Sequence, residues 1–214
     1  MVTVCPTVLA ETPFDYEHQI NKIVHLGHRL QIDLTDGVFA TSRTVSPSEA
    51  WWPVGFAADI HLMYQNPMEA INQLLVHQPH MIIIHAEADG DFMKVHKLCR
   101  NHQVKLGVAL LPQTQPHYIE KELSKLDHVL IFSGDLGSFG GHADLDLLQK
   151  VAYLKSKKPR LEVGWDGGIN SQNISTLVSG GVDVLNVGGY IQTAKDPHKA
   201  YNDLVRITAE TGTT

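Results

Sequence analysis

Eight short apolar or β-branched runs alternate with longer stretches of helical spacing, and this alternation limits the fold more than any other feature of the chain. The runs are Thr3–Leu9, Arg29–Leu34, Ala57–Met63, Met81–His85, Lys105–Leu110, His128–Phe132, Leu161–Trp165 and Val182–Val187. Between them the spacing predicts helices near Phe14–Leu26, Pro67–Val76, Asp91–Asn101, Pro116–Leu123, Leu145–Lys155, Gln172–Ser179 and Pro197–Thr208. Asn66-Pro67 and Asp196-Pro197 each set an N-cap residue before a proline in the first turn. Only Gly37–Val54 lacks a good helix and reads as a long loop ending in a short helix near Ser48–Trp52. No linker divides the chain, so a single domain over residues 1–214 is expected. Strands alternating with helices predict an α/β protein with a parallel sheet. A count of eight favours a closed (β/α)8 TIM barrel over an open doubly wound sheet. The first run leads into Pro6-Thr7-Val8-Leu9 rather than a G-x-G-x-x-G turn, which speaks against a dinucleotide fold.

Charge and composition narrow the function. Lys+Arg 17 against Asp+Glu 23 leaves −6, with the basic residues scattered. Neither nucleic-acid binding nor membrane attachment is expected of such a chain. Met81-Ile82-Ile83-Ile84 is too short to span a bilayer, and residues 1–10 carry no basic region ahead of an apolar one. Cys5 and Cys99 fit no zinc or redox pattern, so a reducing, cytoplasmic setting is expected. Most of the 13 histidines, including His18, His25, His28, His77, His96, His102, His117 and His198, lie in polar stretches and read as surface residues.

In a barrel of this kind chemistry occurs where the strands end. The second run closes Gln31-Ile32-Asp33-Leu34-Thr35, with Gln31, Asp33 and Thr35 on one face by the period of two. The third carries Asp59 and His61 on one face, the fourth ends His85-Ala86-Glu87, and the seventh ends Trp165-Asp166-Gly167-Gly168. An acid in a buried strand is costly unless paired or holding a metal, so Asp33, His61 and Asp166 form a candidate constellation. The plainer reading is that Asp36-Gly37 and Asp166-Gly167 are turn dipeptides and that His85 and Glu87 satisfy each other. Glycines give a second signal: Gly140-Gly141, Gly167-Gly168 and Gly188-Gly189 follow runs six, seven and eight. Backbone N–H groups freed at such junctions can cradle an anion, and the loops after strands seven and eight are the common phosphate site of these barrels.

With these residues in view, the chain resembles the ribulose-phosphate 3-epimerase family along nearly its whole length. The motifs that carry the resemblance are Pro6-Thr7-Val8-Leu9, Asp33-Leu34-Thr35-Asp36-Gly37-Val38-Phe39, His61-Leu62-Met63 with Asn66-Pro67, and His85-Ala86-Glu87. Gly107-Val108-Ala109, Pro112-Gln113-Thr114, Phe139-Gly140-Gly141, Asp166-Gly167-Gly168-Ile169 and Gly188-Gly189 complete them. The resemblance implies inversion of C3 of a ketopentose phosphate, D-ribulose 5-phosphate to D-xylulose 5-phosphate, with a divalent metal held by two His and two Asp. It makes Asp33 the proton-abstracting base, Asp166 the opposite acid, both of them metal ligands, and His61 a third ligand. Thr7 stands where the family has a substrate-binding Ser, and Met63 matches one of its capping methionines. It also implies a cytoplasmic homo-oligomer, a dimer or hexamer, acting on a sugar phosphate.

The chain departs from the family's pattern at several positions. Gln31 replaces the second ligand His, Thr35 and Ser133 replace methionines, and Val38, Leu111, Ser138, His142 and Gly189 differ from the usual residues. Because Gln31 stands in the metal shell, the ion is left open among Mn, Mg, Zn, Co and Fe. Removing a proton next to a ketone leaves an enediolate whose charge a metal would stabilise, and inversion needs one acid or base on each face. Two alternatives stay open. One is an epimerase of a longer ketose phosphate, such as allulose 6-phosphate, with Thr35 and Ser133 contacting extra hydroxyls; the other is a catalytically silent sugar-phosphate binder.

Overall fold

A computed structural model describes residues 2–212; Met1, Thr213 and Thr214, the ends of the expected domain, lie outside the described residues. The strands are β1 (Thr3–Val8), β2 (Arg29–Thr35), β3 (Ala57–Met63), β4 (Met81–His85), β5 (Lys105–Leu110), β6 (His128–Phe132), β7 (Glu162–Asp166) and β8 (Val184–Val187). All pair in parallel, each with the next and β8 with β1, closing the barrel in sequence order. The helices are α1 (Pro13–Ile23), α2 (Met68–Leu75), α3 (Phe92–Asn101), α4 (Leu148–Lys157), α5 (Ile174–Ser179), α6 (Gly189–Gln192) and α7 (Pro197–Thr211). None is long and apolar enough to cross a membrane.

The period of two divides the side chains between two cores. Ile32, Leu34, Ile60, Ile82, Val129 and Val163 face outward into a large cluster under the helices. Inside the barrel Met81, Ile83, Ala109 and Leu130 form a small apolar cluster, with Met63 and Phe132 nearer the mouth. Many of the remaining inward residues are polar and need partners of their own. At the end where the strands begin, Arg29 donates to Asp59 at 2.7 Å and to both oxygens of Glu162 at 2.7 and 2.9 Å. His128 faces Glu162 at 2.9 Å and His80 faces Asp59 at 2.7 Å. Asp59, read from sequence as a neighbour of His61, thus belongs to this lower network.

Three helix expectations change. The segment Pro116–Leu123 forms two 3-10 turns, Pro116–Ile119 and Leu123–Lys125. Its buried residues, Pro116 with Ile119 and Leu123 with Leu126, repeat every three residues, which is the 3-10 period. No helix forms at Ser48–Trp52: a single turn closes where Ser46 bonds Glu49, and Trp52 precedes a proline, a position disfavouring helical backbone. Asn66 does not cap α2; Pro67 takes the cap position without a side-chain bond, whereas Asp196 caps α7 through the Lys199 N–H.

The lower network yields a stability prediction. Arg29→Met would leave Asp59, whose side chain is 2 % exposed, without its guanidinium. Loss of one partner from such a buried pair costs about 3–5 kcal/mol. Urea unfolding should show it, and a loss under about 1 kcal/mol, the range of a surface pair, would refute a buried structural bridge.

Candidate active site

The register sets the site before any side chain is considered. Asp33 on β2 lies opposite His61 on β3, Thr35 opposite Met63, and Phe132 on β6 opposite Asp166 on β7. Every one of these side chains points into the barrel near its mouth. Asp33, His61 and Asp166 each offer a ligand atom, and the three atoms lie within 4.8 Å of one another.

Gln31 joins the two acids. Its Nε2 donates to Asp33 Oδ1 at 2.9 Å and to Asp166 Oδ2 at 2.5 Å, while its own Oε1 is buried with no partner. Burial, then the negative charge of Asp33, pushes the Asp166 carboxyl up to about 7. Asp166 therefore holds its proton more tightly than an ordinary carboxyl. Asp33 Oδ2 makes no hydrogen bond among the described residues, so one face of each acid is left toward the cavity they both line.

Behind the acids runs a line of imidazoles. His61 Nδ1 lies 2.9 Å from Asp33 Oδ1, and His61 Nε2 lies 2.8 Å from His85 Nε2. Glu87 Oε2 is 3.4 Å from His85 Nδ1. Burial pushes His85 down to about 4, so it is neutral. Glu87 is also opposed by burial, but the nearby His85 and Thr114 side chains and the bond from the Leu111 N–H carry its carboxyl below the usual range. A proton on His85 Nδ1, facing Glu87, makes its Nε2 the acceptor of the His61 Nε2–H. His61 Nδ1 donates to Asp33 when it carries the ring proton and faces it with a lone pair when Nε2 carries it; in the second arrangement a cation between the two acceptors would relieve them. The set of two carboxylates, one imidazole and the unpaired Gln31 Oε1 nearby fits a divalent metal ion.

The cavity extends from the acids to the glycine loops. Thr7, Met63, Gly140, Gly167, Gly168, Gly188 and Gly189 line it, and no lysine or arginine does. Gly141 lies off the cavity and packs against the backbone of Gly134 and Asp135. At Gly167 (φ 110°) a Cβ would fall 2.0 Å from Gly134 N, and at Gly168 (φ 69°) 2.1 Å from Ala143 N. Close packing of the two loops therefore requires this pair, whatever it binds. The Gly168 N–H already donates to Gly140 O, and the Gly167 N–H supports Asp166. The N–H groups of Gly140 and Gly188 have no protein acceptor among the described residues. Gly189 opens α6, so its N–H has no carbonyl one turn earlier in that helix.

Two expected contacts do not reach the cavity. Thr35 Oγ1 donates to Ser42 O at 2.8 Å, and Ser133 Oγ donates to His142 O at 3.2 Å while accepting from the Asp144 N–H at 2.7 Å. Neither hydroxyl is free for a longer sugar. Phe139, quoted above only as part of a motif, also lines the cavity, as do Gly134, Asn186 and Tyr190, which the sequence did not single out. Asn186 carried a readable signal, an amide at an inward position of an otherwise apolar strand.

The Ribulose-phosphate 3 epimerase family matches residues 3–192. The chain is similar to the ribulose-phosphate 3-epimerase of Helicobacter pylori, 29 % identical over 95 % of this chain and 97 % of that one. It is 28 % identical to that of Bacillus subtilis over 95 % and 98 %. Among solved structures, 3-hexulose-6-phosphate synthase from Salmonella typhimurium superposes with a TM-score of 0.71 at 13 % identity, covering 98 % of this chain and all of that one, and shares the fold.

The raised Asp166 carboxyl has a measurable cost. A carboxyl that binds its proton more tightly folded than unfolded favours folding below its unfolded pKa. That contribution is lost as pH rises from about 4 through about 7. Asp166→Asn removes the buried charge, so in metal-free buffer it should be more stable than the parent at pH 8 by about 1–3 kcal/mol. The gap should narrow toward pH 4. Urea unfolding at both pH values checks this, and a gap that does not change with pH would contradict it.

Proposed function

Since the chain belongs to the ribulose-phosphate 3-epimerase family, we propose that it is an isomerase inverting C3 of a ketopentose phosphate, D-ribulose 5-phosphate to D-xylulose 5-phosphate. The observation that carries this reading is the pair of carboxyls, Asp33 and Asp166, the latter pushed up by burial, on one cavity that ends in glycine backbone. Asp33 takes the proton from the carbon beside the ketone, and Asp166, whose carboxyl burial pushes up, returns one to the opposite face. Gln31 keeps both acids in place through a single amide. The phosphate rests on the N–H groups of Gly140, Gly188 and Gly189, with Gly167 and Gly168 shaping the bed and Thr7 beside it. Phe139, against Gly188, and Met63 keep water from the reacting carbon. Asp33, His61 and Asp166 would hold a divalent ion, with Gln31 as a fourth, oxygen donor after its amide turns over. Bound there, the ion supplies Lewis-acid stabilisation of the charge developing on the carbonyl oxygen.

Asp33→Asn and Asp166→Asn should each lower epimerisation by several decades, with exchange of the C3 proton surviving in at most one of them, because each acid serves one face. Proton NMR of ribulose 5-phosphate in deuterated water reads both effects. Retention of more than about a tenth of the activity in either variant would remove that residue from the assignment. An unmodified protein that neither exchanges the proton nor forms xylulose 5-phosphate would instead favour the silent binder.

The metal shell gives a second expectation. An amide oxygen is a harder, weaker ligand than imidazole, so the native shell should prefer Mn or Mg to Zn. Gln31→His should raise zinc affinity at least tenfold in calorimetric titration. Absence of divalent-ion binding to both the parent and this variant would rule out a metal-assisted mechanism.

A further inference from the structure

We propose that Asn186 determines substrate specificity by binding a hydroxyl that lies between the reacting carbon and the phosphate of the substrate. The proposal rests on the sugar-phosphate reading above but not on turnover. Asn186 sits on β8 in register with Asp166 on β7 and Cys5 on β1. Its neighbours along the strand, Val184, Leu185 and Val187, are apolar and buried. Asn186 itself is 2 % exposed, its Oδ1 is buried without a partner, and it lines the cavity shared by the two acids. A buried amide acceptor with nothing to accept from is costly, and an apolar residue would fill this strand position without that cost. The cost is offset if a ligand brings the missing donor.

Position along the strand says which part of the ligand that is. Asn186 lies beside Asp166, and two residues later the chain leaves the strand through Gly188 and Gly189 of the glycine bed. Thr7, whose Oγ1 is likewise buried and unpartnered, flanks Gly188: its Cβ lies 3.6 Å from where a Gly188 Cβ would stand. A ligand reaching from the acids to the glycines passes its middle carbons over these two oxygens. Both can accept, so they select a ligand with hydroxyls on those carbons. A deoxy sugar phosphate would leave the Asn186 Oδ1 without a donor.

The test measures binding alone. Calorimetric titration compares inorganic phosphate, ribitol 5-phosphate and the 4-deoxy analogue of ribitol 5-phosphate, each against the whole protein and against Asn186→Leu. The parent should bind ribitol 5-phosphate at least tenfold more tightly than the 4-deoxy compound. Asn186→Leu should bring the two within about twofold and leave the phosphate affinity unchanged. Equal affinity of the parent for the two polyol phosphates overturns the proposal, as does a variant that keeps the preference or loses phosphate binding to the same degree. If Asn186→Leu does not fold, Asn186→Ser takes its place, and the parent's own preference still decides. A parent that binds none of the three removes the sugar-phosphate reading as well. A parent that shows the preference yet leaves ribulose 5-phosphate unchanged removes only the epimerase.

Discussion

Asp33 and Asp166 each give an oxygen to the same Gln31 nitrogen, at 2.9 and 2.5 Å. Two carboxylates buried so close together repel, and the interior around them offers no lysine or arginine. The charge is managed in three ways at once: the amide donates to both, Asp166 is pushed toward its neutral form, and His61 stands 2.9 Å from Asp33. Each of the three requires a neighbour to be placed correctly. His61 must present Nδ1 to Asp33, so its other nitrogen needs His85, and His85 in turn faces Glu87. A chain of buried polar groups thus runs from β2 through β3 to β4, with every link dependent on the next.

The two ends of the barrel treat buried charge differently. Around Arg29 the opposite charges meet at 2.7 Å, and the guanidinium fork matches the Glu162 carboxylate. Glu162 is accordingly held far below the ordinary carboxyl range, its own burial being outweighed by Arg29 and His128. At the mouth like charges meet and one acid is pushed up. The first arrangement holds strands β2, β3 and β7 together; the second stores unfavourable energy where a ligand or ion can relieve it. This division is common in barrels, whose lower face serves stability and whose upper face serves chemistry.

Much of the architecture was legible because period-two alternation needs no long-range knowledge: Ile32 and Leu34 outward, Gln31 and Asp33 inward, follows from the strand alone. The closed barrel followed from counting such strands. What local pattern could not decide was the partner of each inward polar residue. Asp59 and His61 share a face, yet one turns down to Arg29 and the other lies level with Asp33. Thr35 and Ser133 are placed at strand ends, yet both hydroxyls are bonded to loop carbonyls that fold back over them. The Gly167-Gly168 pair was read for what it could bind, but loop packing alone already requires it. The membership of β2 and β7 in one site came from topology and chemistry together, whereas Asn186 required knowing which atoms find no partner.

A glutamine at position 31, where the resemblance to the family implies a ligand imidazole, changes more than the count of nitrogens. Imidazole toward the acids would leave an ion as the means of neutralising them, because a neutral ring facing them with its lone pair donates nothing. The carboxamide has two ends. With nitrogen toward the acids it supplies hydrogen bonds and leaves an oxygen buried and unpaired; with oxygen toward them it becomes a donor to a cation. Protonation of Asp166 and occupancy by a cation are therefore alternative answers to one excess of negative charge, and the amide can serve either by turning over. Acidic conditions favour the proton and high metal concentration the ion, so metal affinity at this site is bound to pH more tightly than in a shell of two imidazoles and two permanently ionised acids. The change at one residue leaves in place both acids for which the chemistry is proposed. It shifts the balance between the two ways their charge is held.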